Sequence, residues 1–193
     1  ADGQGRGRRP PGPARAMGSC SAKDARSPRE RAVCLAATPV GPRLAKFQAY
    51  HTSVLIDGFE YSFGQLGVEC ARGLRSHRYL AHGPAQVLDQ GHSMTAPEVM
   101  LRALRPHFQA ETYDLLRKNC NSFTDCALFF LLGVRLDRRY RMLEKIGASL
   151  DKHSGFVRRL SLGGYRPNPM ANGFQPCSLL GELASPSVTP RCF

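Results

Sequence analysis

The sequence predicts an α+β domain, a small antiparallel sheet packed with helices. Three observations carry that reading. The stretch "YHTSVLIDGFEYSFG" (50–64) alternates as two strands about a turn. The stretch "CNSFTDCALFFLLG" (120–133) has apolar residues at helical spacing and ends on glycine. The order of strands and helices along the chain suits a small α+β unit.

Taken in order, "AVCLAA" (32–37) is a short apolar strand. Tyr50, Thr52, Val54 and Ile56 then alternate with His51, Ser53 and Leu55. Asp57-Gly58 is a favoured two-residue hairpin turn, and Phe59, Tyr61 and Phe63 alternate on the return strand. Residues 64–85 read as a long surface loop with "RGLRSHR" solvated, and "AQVLD" (85–89) as a further strand. Thr95 and Glu98 have capping-box spacing before a helix whose face carries Val99, Ala103 and Leu104. "ETYDLL" (111–116) is strand-like. A helix starts at Cys120, with Phe123, Ala127, Phe130 and Leu131 on its apolar side. "DRRYRMLEKIGASL" (137–150) is a further helix turning Tyr140, Leu143 and Ile146 inward.

Charge and composition set the boundaries. The net charge of +12 is uneven: residues 1–46 carry ten basic and three acidic groups, residues 47–134 seven and eight. A nucleic-acid reader shows a basic, aromatic-studded face on its folded core. Here the core is electrically ordinary, so no specific nucleic-acid partner is expected. Residues 1–30 and 161–193 each hold nine Gly or Pro without periodic apolar positions and read as mobile tails. The expected division is a disordered basic tail (1–30), one domain (31–150) and a Gly/Pro-rich C-terminal tail (151–193). No run approaches a membrane span of roughly 20 apolar residues. Seven cysteines, none in a C-x-x-C pair and with no apolar signal-peptide centre, predict reduced thiols in the cytoplasm or nucleus.

Cys120 stands between Asn119 and Asn121 at a helix start. Unpaired N–H groups and the positive end of the helix dipole favour a thiolate there. The same N–H groups suit the oxyanion of an acyl intermediate. Asn119 and Asn121 fit the entry because their amides bond free backbone donors, and one of them could face a substrate carbonyl. Cys126 lies in the apolar run and reads as packing. Of six histidines, His77, His82 and His92 fall in polar loop sequence and read as solvated. His107 follows Pro106 at a helix end, and His153 falls in the outgoing tail. His51 lies inside an alternating strand, in a fixed direction with Ser53 and Leu55. It is either a half-buried strand histidine or the proton partner of Cys120, meeting a helix start laid against that face.

"YHTSVLIDGFEYSFG", followed 69 positions after His51 by the cysteine of "YDLLRKNCNSFTDCALFFLLG", resembles the PPPDE family, also called the DeSI (desumoylating isopeptidase) family. The resemblance covers about residues 32–148 and rests on the H-T-S strand, the aromatic return strand ending in F-G, and the N-C-N-S-F helix start. It implies a circularly permuted papain-like fold, with histidine before cysteine in the chain. It implies His51 as catalytic histidine and Cys120 as nucleophile, with Asn119 and Asn121 supporting the helix start and oxyanion site. It further implies cleavage of a ubiquitin-like modifier, SUMO or ubiquitin, from lysine, without metal or cofactor. Conjugated proteins are then the partners, and a homodimer is compatible.

Other readings stay open. LRAT-like and NlpC-type enzymes share the histidine-before-cysteine order, but the LRAT-like acyltransferases carry N-C-E-H-F where this chain has Asn121-Ser122-Phe123. They also carry a second histidine where this chain has Phe63. A zinc site from Cys120, Cys126 and His51 is weaker, because the two thiols point to different helix faces. A non-catalytic binding module on the same fold is the remaining alternative.

Overall fold

Alternating apolar residues in the first half of the chain build one antiparallel sheet. The computed structural model describes residues 29–44, 47–78, 83–141 and 165–184. Its strands are β1 (Arg31–Leu44), β2 (Phe47–Ile56), β3 (Phe59–Gly64), β4 (Gly67–Arg72) and β5 (Gln86–Ser93), in the order β4-β3-β2-β1-β5. The Asp57-Gly58 turn takes φ of 49° and 80°, the left-handed pair a tight hairpin needs.

The α+β class, with helices packed on an antiparallel sheet, is what the sequence predicts, but several elements differ. Residues 64–85 are not one loop: β4 pairs with β3 along its whole length, from Phe59↔Arg72 to Gly64↔Gly67. Gly67, at φ 87°, is needed there, since a Cβ would sit 3.0 Å from the Ala110 nitrogen. The helix α1 (Pro97–Leu104) has Ala96 as its N-cap with no side-chain cap bond, so Thr95 and Glu98 form no capping box. Pro97 starts it instead, where a missing N–H costs nothing. "ETYDLL" forms only an isolated bridge, Asp114↔Lys118, because Asp114 Oδ1 accepts the N–H groups of Leu116 and Arg117 and closes a turn. Of the helix expected at 137–150, residues 137–140 form a turn with Tyr140 buried, and Leu143 and Ile146 lie outside the described residues.

Strand alternation sorts the sheet into two faces. Val33, Leu35, Ala37, Val54, Ile56, Tyr61 and Phe63 join the core with α1 and the helix α2 (Cys120–Leu132). Phe108 sits at its centre, in edge contact with Phe63 (5.0 Å), Phe123 (5.3 Å) and Phe174 (5.4 Å). The opposite face carries Thr38, His51, Ser53 and Glu60, polar residues buried or half-buried beneath the Ser76-His77 turn.

Part of the C-terminal stretch expected to be a mobile tail belongs to this core. Residues 165–184 hold a 3-10 turn (Pro169–Ala171) and a helix α3 (Pro176–Leu183) that buries Leu179, Leu180 and Leu183. Each such leucine contributes roughly 1.5–3 kcal/mol when fully buried. Asp114 anchors the segment, accepting from Tyr165 Oη and from the Asn168 N–H at 2.8 Å. Among the described residues no helix is long and apolar enough to cross a membrane. Cys34, Cys120 and Cys177 are free thiols, but Cys70 is disulfide-bonded. The reduced-thiol expectation fails at Cys70, because a disulfide needs spatial adjacency rather than a sequence spacing.

Candidate active site

The α2 start is built as its sequence asks. Asn119 is the N-cap in extended conformation, and its Oδ1 accepts from the N–H groups of Asn121 (2.9 Å) and Ser122 (3.0 Å). Ser122 Oγ accepts in return from the Asn119 N–H, completing a capping box. Asn119 Nδ2 reaches back to Leu115 O at 2.8 Å and fixes the approach of the chain. Cys120 is therefore the first helical residue, held on a rigid entry.

Asn121 does different work. Its Nδ2 donates to Tyr50 O (3.1 Å) and Tyr140 O (2.8 Å), and its Oδ1 accepts from Thr52 Oγ1 (2.8 Å). Both amide protons are spent on the protein, so this side chain has none left for a substrate carbonyl. Tyr140 O is brought there by Asp125 of α2, which grips Arg135 through two of its guanidinium nitrogens and takes the Leu136 N–H at 2.8 Å.

The Cys120 thiol is 4% exposed. Burial pushes its pKa up, opposed chiefly by the Thr52 N–H and next by the Tyr113 side chain, which favour the thiolate. The net direction is upward, not the depression expected from a helix start. Desolvation outweighs the local donors in this closed arrangement. The Thr52 N–H reaches the sulfur at a place β3 leaves open, since β3 pairs with β2 only from Val54 to Ile56.

His51 faces the other way. Its ring Nε2 pairs with Ser76 Oγ at 2.7 Å, and the ring lies 4.6 Å from that of His77, tilted by 54°. Burial lowers its pKa, with Glu60 pulling in the opposite direction. His77 is 6% exposed rather than solvated, held between Thr38 Oγ1 (2.8 Å) and Ser53 Oγ (2.9 Å). Burial and the neighbouring His51 lower its pKa to about 4. Glu60, 1% exposed, takes Ser53 Oγ, Ser76 Oγ and the Ser76 N–H.

Asn119, Cys120 and Asn121 thus come together at one helix start, and the flanks of His51 come to the same place. Tyr50 and Thr52 are both bonded to Asn121, so Cys120 and His51 are neighbours of clamped residues. The two side chains are not bonded to each other: the ring turns to Ser76, and the thiol donates to Asn121 Oδ1 at 3.6 Å. The expectation that α2 lies on the face of Ser53 is corrected, because its contacts run to Thr52 on the opposite face. Tyr113, Glu60, Ser76 and His77 escape the sequence reading. The alternation gives no sign of Glu60 either, since it places that carboxylate opposite the apolar side of the return strand.

Comparison with known proteins adds three findings. The family model described as "PPPDE putative peptidase domain" matches residues 28–160. Desumoylating isopeptidase 1 of Rattus norvegicus is 30% identical over 92 residues, 45% of this chain and 52% of the relative. Desumoylating isopeptidase 1 of Homo sapiens is 30% identical over the same shares. The match spans about half the length of these curated relatives.

Proposed function

The chain belongs to the PPPDE peptidase family, and on that premise we propose that it is a cysteine isopeptidase removing a ubiquitin-like modifier from substrate lysines. SUMO is the leading modifier, because the relatives are named desumoylating isopeptidases. Ubiquitin is the second arm of the test, and the cytoplasm or nucleus is the proposed place of action. The observation that carries the reading is the joint clamp: Asn121, next to Cys120, bonds both neighbours of His51.

In the reaction, His51 takes the Cys120 proton and the sulfur attacks the carbonyl joining modifier to lysine. The Cys120 N–H serves the oxyanion, since those of Asn121 and Ser122 are already held by Asn119 Oδ1. His51 then protonates the leaving amine, and water clears the thioester. Such hydrogen bonds often form only in the complex with substrate, which accommodates a ring turned to Ser76 in the free protein.

A second reading is favoured by one observation. The buried Cys120 thiol is bonded to Asn121 Oδ1 rather than to His51, which suits a binding module of the same fold. One experiment separates the two. SUMO and ubiquitin carrying electrophilic C-termini are offered to the wild type and to Cys120→Ala. The isopeptidase reading expects labelling of Cys120 by one modifier and turnover of its conjugates that the variant lacks. Binding without labelling or turnover favours the module, and equal slow cleavage by both proteins sinks the nucleophile.

A further inference from the structure

The polar face of the sheet holds a chain of hydrogen bonds that ends on the His51 ring. Its direction follows from counting protons. Glu60 sits at its base, 1% exposed, and a carboxylate only accepts. It takes the Ser76 N–H on Oε2 at 2.9 Å and the Ser76 hydroxyl on Oε1 at 2.5 Å. It also takes the Ser53 hydroxyl at 2.8 Å. A serine hydroxyl has one proton, and both serines have given theirs to Glu60.

Consequently Ser76 Oγ can only accept in its 2.7 Å contact with His51 Nε2. The hydrogen of a neutral His51 ring then sits on Nε2, and the lone pair is on Nδ1. The same count applies one ring away. Ser53 Oγ accepts from His77 Nε2 at 2.9 Å, and His77 Nδ1 accepts from Thr38 Oγ1 at 2.8 Å. One buried carboxylate therefore fixes the tautomer of two adjacent imidazoles.

We propose that Glu60 and Ser76 are positioning residues that hold His51 in its Nε2–H form and so leave Nδ1 as the basic nitrogen of the ring. The inference rests on the isopeptidase reading for its chemistry and extends it to residues that reading did not include. In the step, the Cys120 S–H bond breaks, an N–H bond forms at His51 Nδ1, and the electron pair stays on sulfur. The ring becomes imidazolium, with its Nε2–H still directed at Ser76 Oγ and, through it, at the Glu60 carboxylate. A serine thus stands between carboxylate and ring, so the negative charge is close without bonding the ring directly. His77 shares the network but donates to Ser53, and its ring packs at a tilt against that of His51.

The test reads the tautomer apart from the reaction. Imidazole ¹H–¹⁵N spectra are taken on the full chain at neutral pH, with the His51 signals assigned by their loss in His51→Gln. The wild type should show His51 protonated at Nε2. Ser76→Ala should turn this into a mixture with the Nδ1–H form, and Ser76→Thr should restore it. Turnover of modifier conjugates by Ser76→Ala should fall by about 10- to 100-fold in kcat, with KM within about twofold. Glu60→Gln should act in the same direction, and if loss of the buried charge prevents folding, the Ser76 pair decides alone. A wild-type ring protonated at Nδ1, or a tautomer indifferent to Ser76→Ala, overturns the proposal. A tautomer that responds in a protein without turnover overturns the isopeptidase reading and leaves the relay standing.

Discussion

The Thr52 hydroxyl donates to Asn121 Oδ1 at 2.8 Å, across 69 residues of chain. This bond, with that from Asn121 Nδ2 to Tyr50 O, pins β2 to the first turn of α2 on both sides of His51. Permuted order in the chain is harmless to such a site, because the clamp acts in space.

Asn121→Ala is expected to leave Tyr50 O, Tyr140 O and the Thr52 hydroxyl without their partner in a buried place. The cost should be about 2–4 kcal/mol, from more than one unmade buried hydrogen bond. Thr52→Val removes one donor and should cost about 1 kcal/mol. Urea unfolding of the two variants checks the order. Equal stability of Asn121→Ala and wild type would mean that other bonds place the strand.

The Tyr113 side chain favours the thiolate of Cys120. Tyr113→Phe removes that donor, so the thiol pKa should move further up and alkylation at neutral pH should slow. The rate of Cys120 modification by iodoacetamide against pH gives the profile. A profile moved downward would show that tyrosine does not donate to the sulfur.

How far the sequence speaks depends on the range of the interactions. The Asp57-Gly58 hairpin, the Asn119 cap and the Gly133 stop were legible because each is set by near neighbours. Cys120 as first residue of α2 follows from the same local logic. His77 was not legible: "RSHR" looks solvated, and only Thr38 and Ser53, from two different strands, turn it into a buried group. The facing of His51 was missed for a related reason. Alternation says which residues share a face, but not which face receives the helix; Thr52 decides that through Asn121. Residues 165–184 looked like tail because Gly and Pro interrupt any period, and their docking depends on Asp114, a distant anchor.

That anchor is open to test. Asp114 accepts from Leu116 N, Arg117 N, Tyr165 Oη and Asn168 N, and is 2% exposed. Asp114→Ala should cost about 2–4 kcal/mol and release the C-terminal segment first. Amide exchange in α3 (Pro176–Leu183) should quicken more than exchange in β1. Exchange that rises equally in both would show that the anchor belongs to the whole fold rather than to this segment.

The histidine pair predicts the pH dependence of stability, and the sign can be worked out. His77 has an ordinary pKa of 6.5 and is lowered to about 4 in the folded protein, chiefly by burial and next by His51. Between those values the unfolded chain binds a proton at this residue and the folded protein does not. Proton uptake therefore favours unfolding, and stability falls as pH drops from about 6.5 toward 4. Below that range the folded ring is charged as well, and the contribution levels off. His51 is also lowered by burial and acts in the same direction. The loss attributable to His77 should be roughly 1–3 kcal/mol across the window. Urea unfolding midpoints at pH 7.5, 5.5 and 4.5 measure it in the wild type and in His77→Gln, whose amide does not titrate. The variant should begin less stable at pH 7.5 and lose less on acidification, with a similar dependence on urea concentration. Parallel losses in both proteins would mean that His77 is charged or solvent-exposed in the folded state, and that the polar face of the sheet is not closed.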